Sequence, residues 1–187
     1  NHFMAIKSTI FKAELQVANL DRNRYGTYPL TIARHPSEND ARMMLRLLAF
    51  ALFADEGLEF GKGLSSDDEP ALWQKDLTGA IERWVELGEP DERIIRRAAG
   101  RAREVVILTY GGNASQMWWQ KNGSALSALN NLRVIRVTPE AAAEMATLAE
   151  RGMQIQATIE DGNVMLTNGS KMVELQPETV LAPRGRS

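Results

Sequence analysis

The chain has 187 residues, with 22 Lys or Arg against 24 Asp or Glu and a formal net charge of −2. That balance creates no overall field attracting a polyanion, so any contact with DNA or RNA has to come from a local basic patch. Cysteine is absent, which excludes a disulfide framework and a thiolate metal site and fits the cytoplasm. No charged segment leads into an apolar run at the start, so no signal peptide is expected, and the residues before Met4 enter no argument. The longest apolar stretch, Met43 to Ala54, contains Arg46 and is too short to span a bilayer. One domain covering residues 1–187 is expected at this length.

From Thr9 to Leu20, Phe11, Ala13, Leu15 and Val17 alternate with Lys12, Glu14 and Gln16, the period of a half-buried strand. Asp21 to Gly26 is turn chemistry, and Leu30 to Ala33 returns as the second arm of a hairpin. Ser37 is placed to cap a helix with Asp40 as its acidic partner, which puts Glu38 in the first turn. Met43, Met44, Leu47, Leu48, Ala51 and Leu52 follow at helical spacing; Phe50 and Phe53 widen the stripe, so this helix is predicted buried on most sides until Gly57 stops it.

Three extended segments come next, Leu58 to Leu64, Ala71 to Lys75 and Ala80 to Leu87, the last two joined around Leu77-Thr78-Gly79. Pro90-Asp91 opens a second helix to about Arg103, and Glu104 to Tyr110 reads as a central, fully covered strand. A helix from about Ser115 to Leu129, a strand from Arg133 to Val137 and an Ala-rich helix from Pro139 to Arg151 complete this part. Beyond it, Gln154 to Ile159, Val164 to Thr167 and Lys171 to Leu175 are separated by Asp161-Gly162 and Asn168-Gly169, strong hairpin signals. The expected fold is mixed α/β: an αβββαβ core over about 37–137, with an accessory sheet formed by the hairpins at about 8–34 and 153–181.

Asp67-Asp68-Glu69-Pro70 precedes one strand and Glu86 closes the next. Antiparallel pairing about Thr78 brings Glu86 opposite the residues near Pro70, and converging carboxylates are what Mg²⁺ or Mn²⁺ needs to hold a water against a phosphodiester. Glu38 joins them if its helix packs over the same end. Asp-Asp-Glu-Pro is equally a solvated turn before an edge strand, and spacing alone does not choose between the two.

The chain resembles the YaeQ family along nearly its whole length. The resemblance rests on Leu20-Asp21-Arg22-Asn23-Arg24, Ala33-Arg34-His35-Pro36-Ser37-Glu38, Arg42 to Ala49, Asp67-Asp68-Glu69-Pro70, Trp84 to Arg93, Trp118-Trp119 and Ile155 to Gly162. That family is similar in fold to PD-(D/E)XK nucleases, which have a restriction-endonuclease-like core. The resemblance implies that Asp68 is the first Asp, Glu86 the acid of the second motif and Glu38 the acid supplied by the first helix, together holding the metal. It also exposes a departure. Gly88 stands where active enzymes carry the Lys that orients water and offsets charge. Arg93, Arg96 or Arg97 on the following helix is the candidate displaced cation, with Arg97 taken as the catalytic choice, although an Arg is a poor proton shuttle.

His35 is either a ligand or base near Glu38, or a capping and packing residue. Trp118-Trp119 either stacks bases or divides between core and surface, since adjacent helical residues point about 100° apart. Arg93, Arg96, Arg97 and Arg101 form the densest basic run and either track phosphates or make a solvated face. Two functions follow: a metal-dependent nuclease acting on DNA or RNA, or a catalytically inactive module on the same scaffold that binds nucleic acid or a protein.

Overall fold

The computed structural model describes residues 7–62 and 68–184. Eleven strands and four helices are seen among them. β1 (Thr9–Asn19) and β2 (Arg24–Arg34) form the first hairpin, and α1 (Asp40–Leu52) follows. β3 (Leu58–Phe60), β4 (Leu72–Lys75), β5 (Ile81–Leu87), α2 (Glu92–Arg101) and β6 (Ala102–Thr109) come next. Then come α3 (Asn113–Leu126), β7 (Leu132–Arg136), α4 (Pro139–Ala146), β8 (Gly152–Glu160), β9 (Asn163–Thr167), β10 (Met172–Leu175) and β11 (Glu178–Leu181). The run α1 to β6 reproduces the expected αβββαβ order.

The strands make two sheets, one ordered β10-β9-β8-β1-β2 and the other β11-β7-β6-β5-β4-β3. The N- and C-terminal hairpins therefore do share a sheet, joined by a parallel β1–β8 ladder. β6 lies inside the second sheet, parallel to both β5 and β7. The last strand departs from expectation: β11 pairs antiparallel with β7 and belongs to the core sheet, not to the accessory one.

α1 contacts β1 on one side and β4 and β5 on the other, with α4 beside it. Enclosed between two sheets, it buries nine consecutive residues from Met43 to Ala51. One apolar cluster combines this helix with the inward faces of both sheets, from Phe11, Leu15 and Ile155 to Val85, Val106 and Ile135. A second, smaller cluster lies on the opposite face of the β11–β3 sheet, where Trp84, Val105, Ile107 and Val134 pack with Ile95 and Ala98 of α2 and Leu126 of α3. Because successive strand residues point to opposite faces, this division tells which side of the sheet each residue serves. Val85 and Leu87 face α1; Trp84 and Glu86 face α2.

The start of α1 differs from the expected one. α1 is capped by Asn39, whose side chain accepts from the Arg42 N–H. Ser37 instead bonds the His35 ring: its N–H donates to Nδ1 at 3.1 Å and its hydroxyl lies 2.6 Å from the same atom. Glu38 thus precedes the cap and is not in the first turn. α1 ends at Leu52 with Phe53 as its C-cap, several residues before Gly57. α2 is capped by Asp91, as its sequence indicates. No helix among the described residues is long and apolar enough to cross a membrane.

Candidate functional site

β5, β6 and β7 run parallel, and their carboxyl ends with the loops that follow are where an open α/β sheet offers a crevice. Glu38, Asp68 and Glu86 lie near this region, but on different sides of the sheet.

Glu38 is on the α1 side. Its N–H bonds the His35 carbonyl at 2.8 Å, a tight turn that folds the side chain back along the helix. The carboxylate, 1% exposed, meets Arg42 at 2.5 Å and Arg46 at 2.5 Å, with a further Arg46 Nε bond at 3.0 Å. Arg46, itself 2% exposed, donates also to the Ala33 carbonyl at 3.1 Å and lies over the Phe60 ring. Both guanidinium partners lie on α1, so Glu38 is used as the counter-charge of a buried arginine.

Glu86 is on the α2 side, 4% exposed, and its Oε1 accepts from the Trp84 indole N–H at 3.1 Å. Asp68 is on that side too: its carboxylate, 82% exposed, pairs with Arg97 of α2 at 3.3 Å. Asp67 lies outside the described residues. The structure therefore brings Asp68 together with Arg97 and places Glu86 on the same face. Glu38 belongs to the other face, because the strand pleat and the α1 packing divide them. Among the described residues no group of three or more His, Asp or Glu side chains is placed to hold a metal ion.

Gly88 occupies the position of the missing lysine. Its φ is +92°, its N–H continues the ladder to the Leu108 carbonyl at 2.8 Å, and no described residue comes within 4 Å of where a Cβ would be. Space for a side chain exists, but the left-handed backbone favours glycine. The exposed residues of α2 include Arg93, Arg96, Arg97 and Arg101. Positions 93, 97 and 101 recur every four residues and share one stripe, while Arg96 bonds Glu92 at 2.8 Å.

The crevice holds residues that spacing did not single out. Glu89 accepts from the buried Ser115 hydroxyl, which in turn accepts from the Gly111 N–H at 2.8 Å. Burial raises the Tyr110 phenol above its ordinary pKa; Arg42 opposes that rise, while Glu89 and Glu38 add to it. Glu89 stands inside the Glu86–Asp91 acidic segment, and its partner Ser115 lies 26 positions later on α3, a pairing that spacing does not reveal. Trp118 donates its indole N–H to the Pro90 carbonyl at 2.8 Å, and Trp119 lies against Gly123. Both are half-buried beside the α2–α3 cluster, so the expected split between a core and a surface tryptophan is not seen.

At the opposite, amino ends of the strands, Glu104 receives Arg83 Nη2 at 3.0 Å and Arg133 Nε at 2.9 Å. Burial pushes this carboxyl up, but the hydrogen bond from Arg133 and the charges of Arg83 and Arg133 outweigh it, and its pKa falls below the ordinary range. A depressed acid contributes stability that is present above its unfolded pKa and lost as pH falls through the folded value. Glu104→Gln is therefore expected to flatten the acid limb of the stability–pH curve. Denaturant unfolding between about pH 2 and 5, spanning the unfolded pKa of a glutamate, checks this; an unchanged limb contradicts it.

The molecule defined by these features is a two-sheet mixed α/β protein with one helix enclosed between the sheets and an arginine-bearing helix on the outer face. A family model described as YaeQ protein matches residues 4–177. The chain is 46% identical to the YaeQ protein of Escherichia coli K12 over 172 residues, 92% of this chain and 95% of that one. It is 45% identical to that of Salmonella typhi over 173 residues, 92% and 96% of the two chains. The crystal structure of YaeQ from Xanthomonas axonopodis pv. citri superposes with a TM-score of 0.91 at 47% identity, covering 94% of this chain and 99% of that one. YaeQ from Pseudomonas syringae gives 0.88 at 36% identity, covering 95% and 98%. The chain belongs to the YaeQ family.

Proposed function

We propose that this chain is a nucleic-acid-binding protein on a nuclease-like αβββαβ frame, engaging backbone phosphates of DNA or RNA through α2. The observation that carries the reading is the exposed stripe Arg93, Arg97 and Arg101, with Arg96 beside it, adjoining the Asp68–Arg97 pair. With a net charge of −2 the protein as a whole does not attract a polyanion, so the affinity has to reside in this stripe. Cleavage is the second reading, supported by Asp68 and Glu86 lying on the same face. Mg²⁺ and Mn²⁺ are commonly held by one or two carboxylates together with substrate phosphates, and these two residues would hold it. The described donor set fits such an ion poorly, because Asp68 is engaged by a guanidinium and Glu86 by an indole N–H.

One titration separates the readings. Fluorescence anisotropy with short single- and double-stranded DNA and RNA is expected to show binding at low salt that weakens steeply as salt rises. Arg93→Gln/Arg97→Gln/Arg101→Gln should lower the log–log salt slope by up to about 2.7 on duplex DNA, at about 0.9 per phosphate contact. Binding that is absent, or indifferent to the triple substitution, removes the α2 reading. Product strands formed with Mn²⁺ and lost in Glu86→Gln would instead establish the second.

A further inference from the structure

We propose that the mouth between the two sheets, at the carboxyl end of α1, binds a phosphate-type oxyanion held by Arg22, Arg83 and Arg133. These residues are far apart in sequence: Arg22 sits in the β1–β2 turn, Arg83 on β5 and Arg133 on β7. Arg83 and Arg133 project to the α1 face of the sheet, by the same alternation that buries Val85 and Ile135 there. Arg22 reaches in from the other sheet. Its Nη1 donates to the Leu52 carbonyl at 3.1 Å, and its guanidinium carbon lies 5.3 Å from the centre of the Phe53 ring. The guanidinium carbon of Arg83 lies 4.7 Å from the same ring. One aromatic side chain thus organises two cations contributed by different sheets.

The charges in this mouth are not balanced by the ion pairs seen there. Glu104 serves both Arg83 and Arg133, and Asp55 serves Arg24 at 3.4 Å. Arg22 is bonded to the end of α1, which offers only about half an elementary charge. Among the described residues four guanidinium groups therefore face two carboxylates, with Arg83 only 17% exposed and Arg133 only 32%. Gathering like charges in a partly desolvated place costs free energy unless counter-charge is supplied. Burial and the neighbouring Arg83 lower the pKa of Arg22, in keeping with that crowding. Arg83 Nε, moreover, is buried without a hydrogen-bond partner among the described residues. A doubly charged oxyanion matches the two-charge excess, and planar guanidinium forks match its oxygens. The mouth lies on the α1 face of the sheet, away from the α2 stripe, so it is independent of the nucleic-acid reading.

Thermal unfolding and calorimetry of the full chain with sodium phosphate, against sodium chloride at equal ionic strength, test the site. Phosphate is expected to raise Tm saturably and chloride not. Arg22→Gln and Arg133→Gln should each weaken phosphate binding roughly tenfold, the order expected for one charge-assisted hydrogen bond. Without phosphate, Arg22→Gln should leave Tm unchanged or higher, because it relieves repulsion; an arginine needed only for the fold would lower it. Phenyl phosphate in place of inorganic phosphate tells an ester headgroup from the free anion. Equal stabilisation by chloride, or phosphate binding unaltered in both variants, overturns the proposal. Nucleic-acid binding should persist in Arg22→Gln, so failure of this site and failure of the α2 reading are told apart.

Discussion

Glu38→Ala is expected to be among the most destabilising single substitutions in this chain, costing about 3–5 kcal/mol, the usual penalty for leaving a buried charge without its partner. Arg46 is enclosed in the middle of α1, between two sheets, at 2% exposure. Water does not reach it to replace the carboxylate. Its remaining bonds, to the Ala33 carbonyl and over the Phe60 ring, are neutral. For a chain of this size the loss corresponds to a fall in Tm of about 6–20 °C. The double variant Glu38→Ala/Arg46→Met removes charge and partner together and should recover most of that loss, since replacing a buried pair by apolar groups is often neutral or better. Chemical denaturation of the three proteins decides the matter. A small effect of Glu38→Ala, or no recovery in the double variant, would mean that Glu38 is not held as Arg46's counter-charge, and would reopen a functional role for this acid.

Much of the fold was legible because its signals are local. The alternation from Phe11 to Val17 and the Asp161-Gly162 and Asn168-Gly169 turns define strands and hairpins without reference to anything distant. The apolar run Val105 to Leu108 marks a strand covered on both faces. What was lost depends on long-range pairing or on competing caps. β11 has only four residues and no clear alternation; its partner β7 lies some forty positions earlier. Ser37 and Asn39 are both good cap residues two positions apart, and the choice fell to Asn39 because the His35 ring engages Ser37.

The site was less legible than the frame, and the reason is the sheet itself. Linear spacing anticipated the β4–β5 pairing that sets the end of β5 beside the start of β4, but it carries no information about which face α1 covers. One signal was available: Arg42 and Arg46 lie one turn apart on one helix side, and Glu38 stands just before the cap of the same helix, a pattern that suits an ion cluster. Arg97 is one of three arginines that the sequence offers on α2 as a displaced cation, and only the folded arrangement sets it against Asp68. The mouth formed by Arg22, Arg83 and Arg133 left no comparable trace, because it exists only once two sheets meet.

Trp84 joins the architecture to the candidate site, and its substitution should separate two contributions. The indole is fully buried, packs edge-on against Trp73 at 5.8 Å, lies under Arg101 at 5.0 Å and donates its N–H to Glu86. Trp84→Ala should cost about 3–5 kcal/mol through the cavity it leaves beneath α2. Trp84→Phe keeps most of that packing while deleting the donor, leaving a buried carboxylate oxygen one bond short at a cost of about 1–3 kcal/mol. In a Glu86→Gln background the same Trp84→Phe change should cost roughly half as much, because a neutral amide oxygen accepts a weaker bond than a carboxylate. Urea unfolding of the four proteins in this cycle measures the coupling directly. A coupling near zero would show that Glu86 does not depend on the indole.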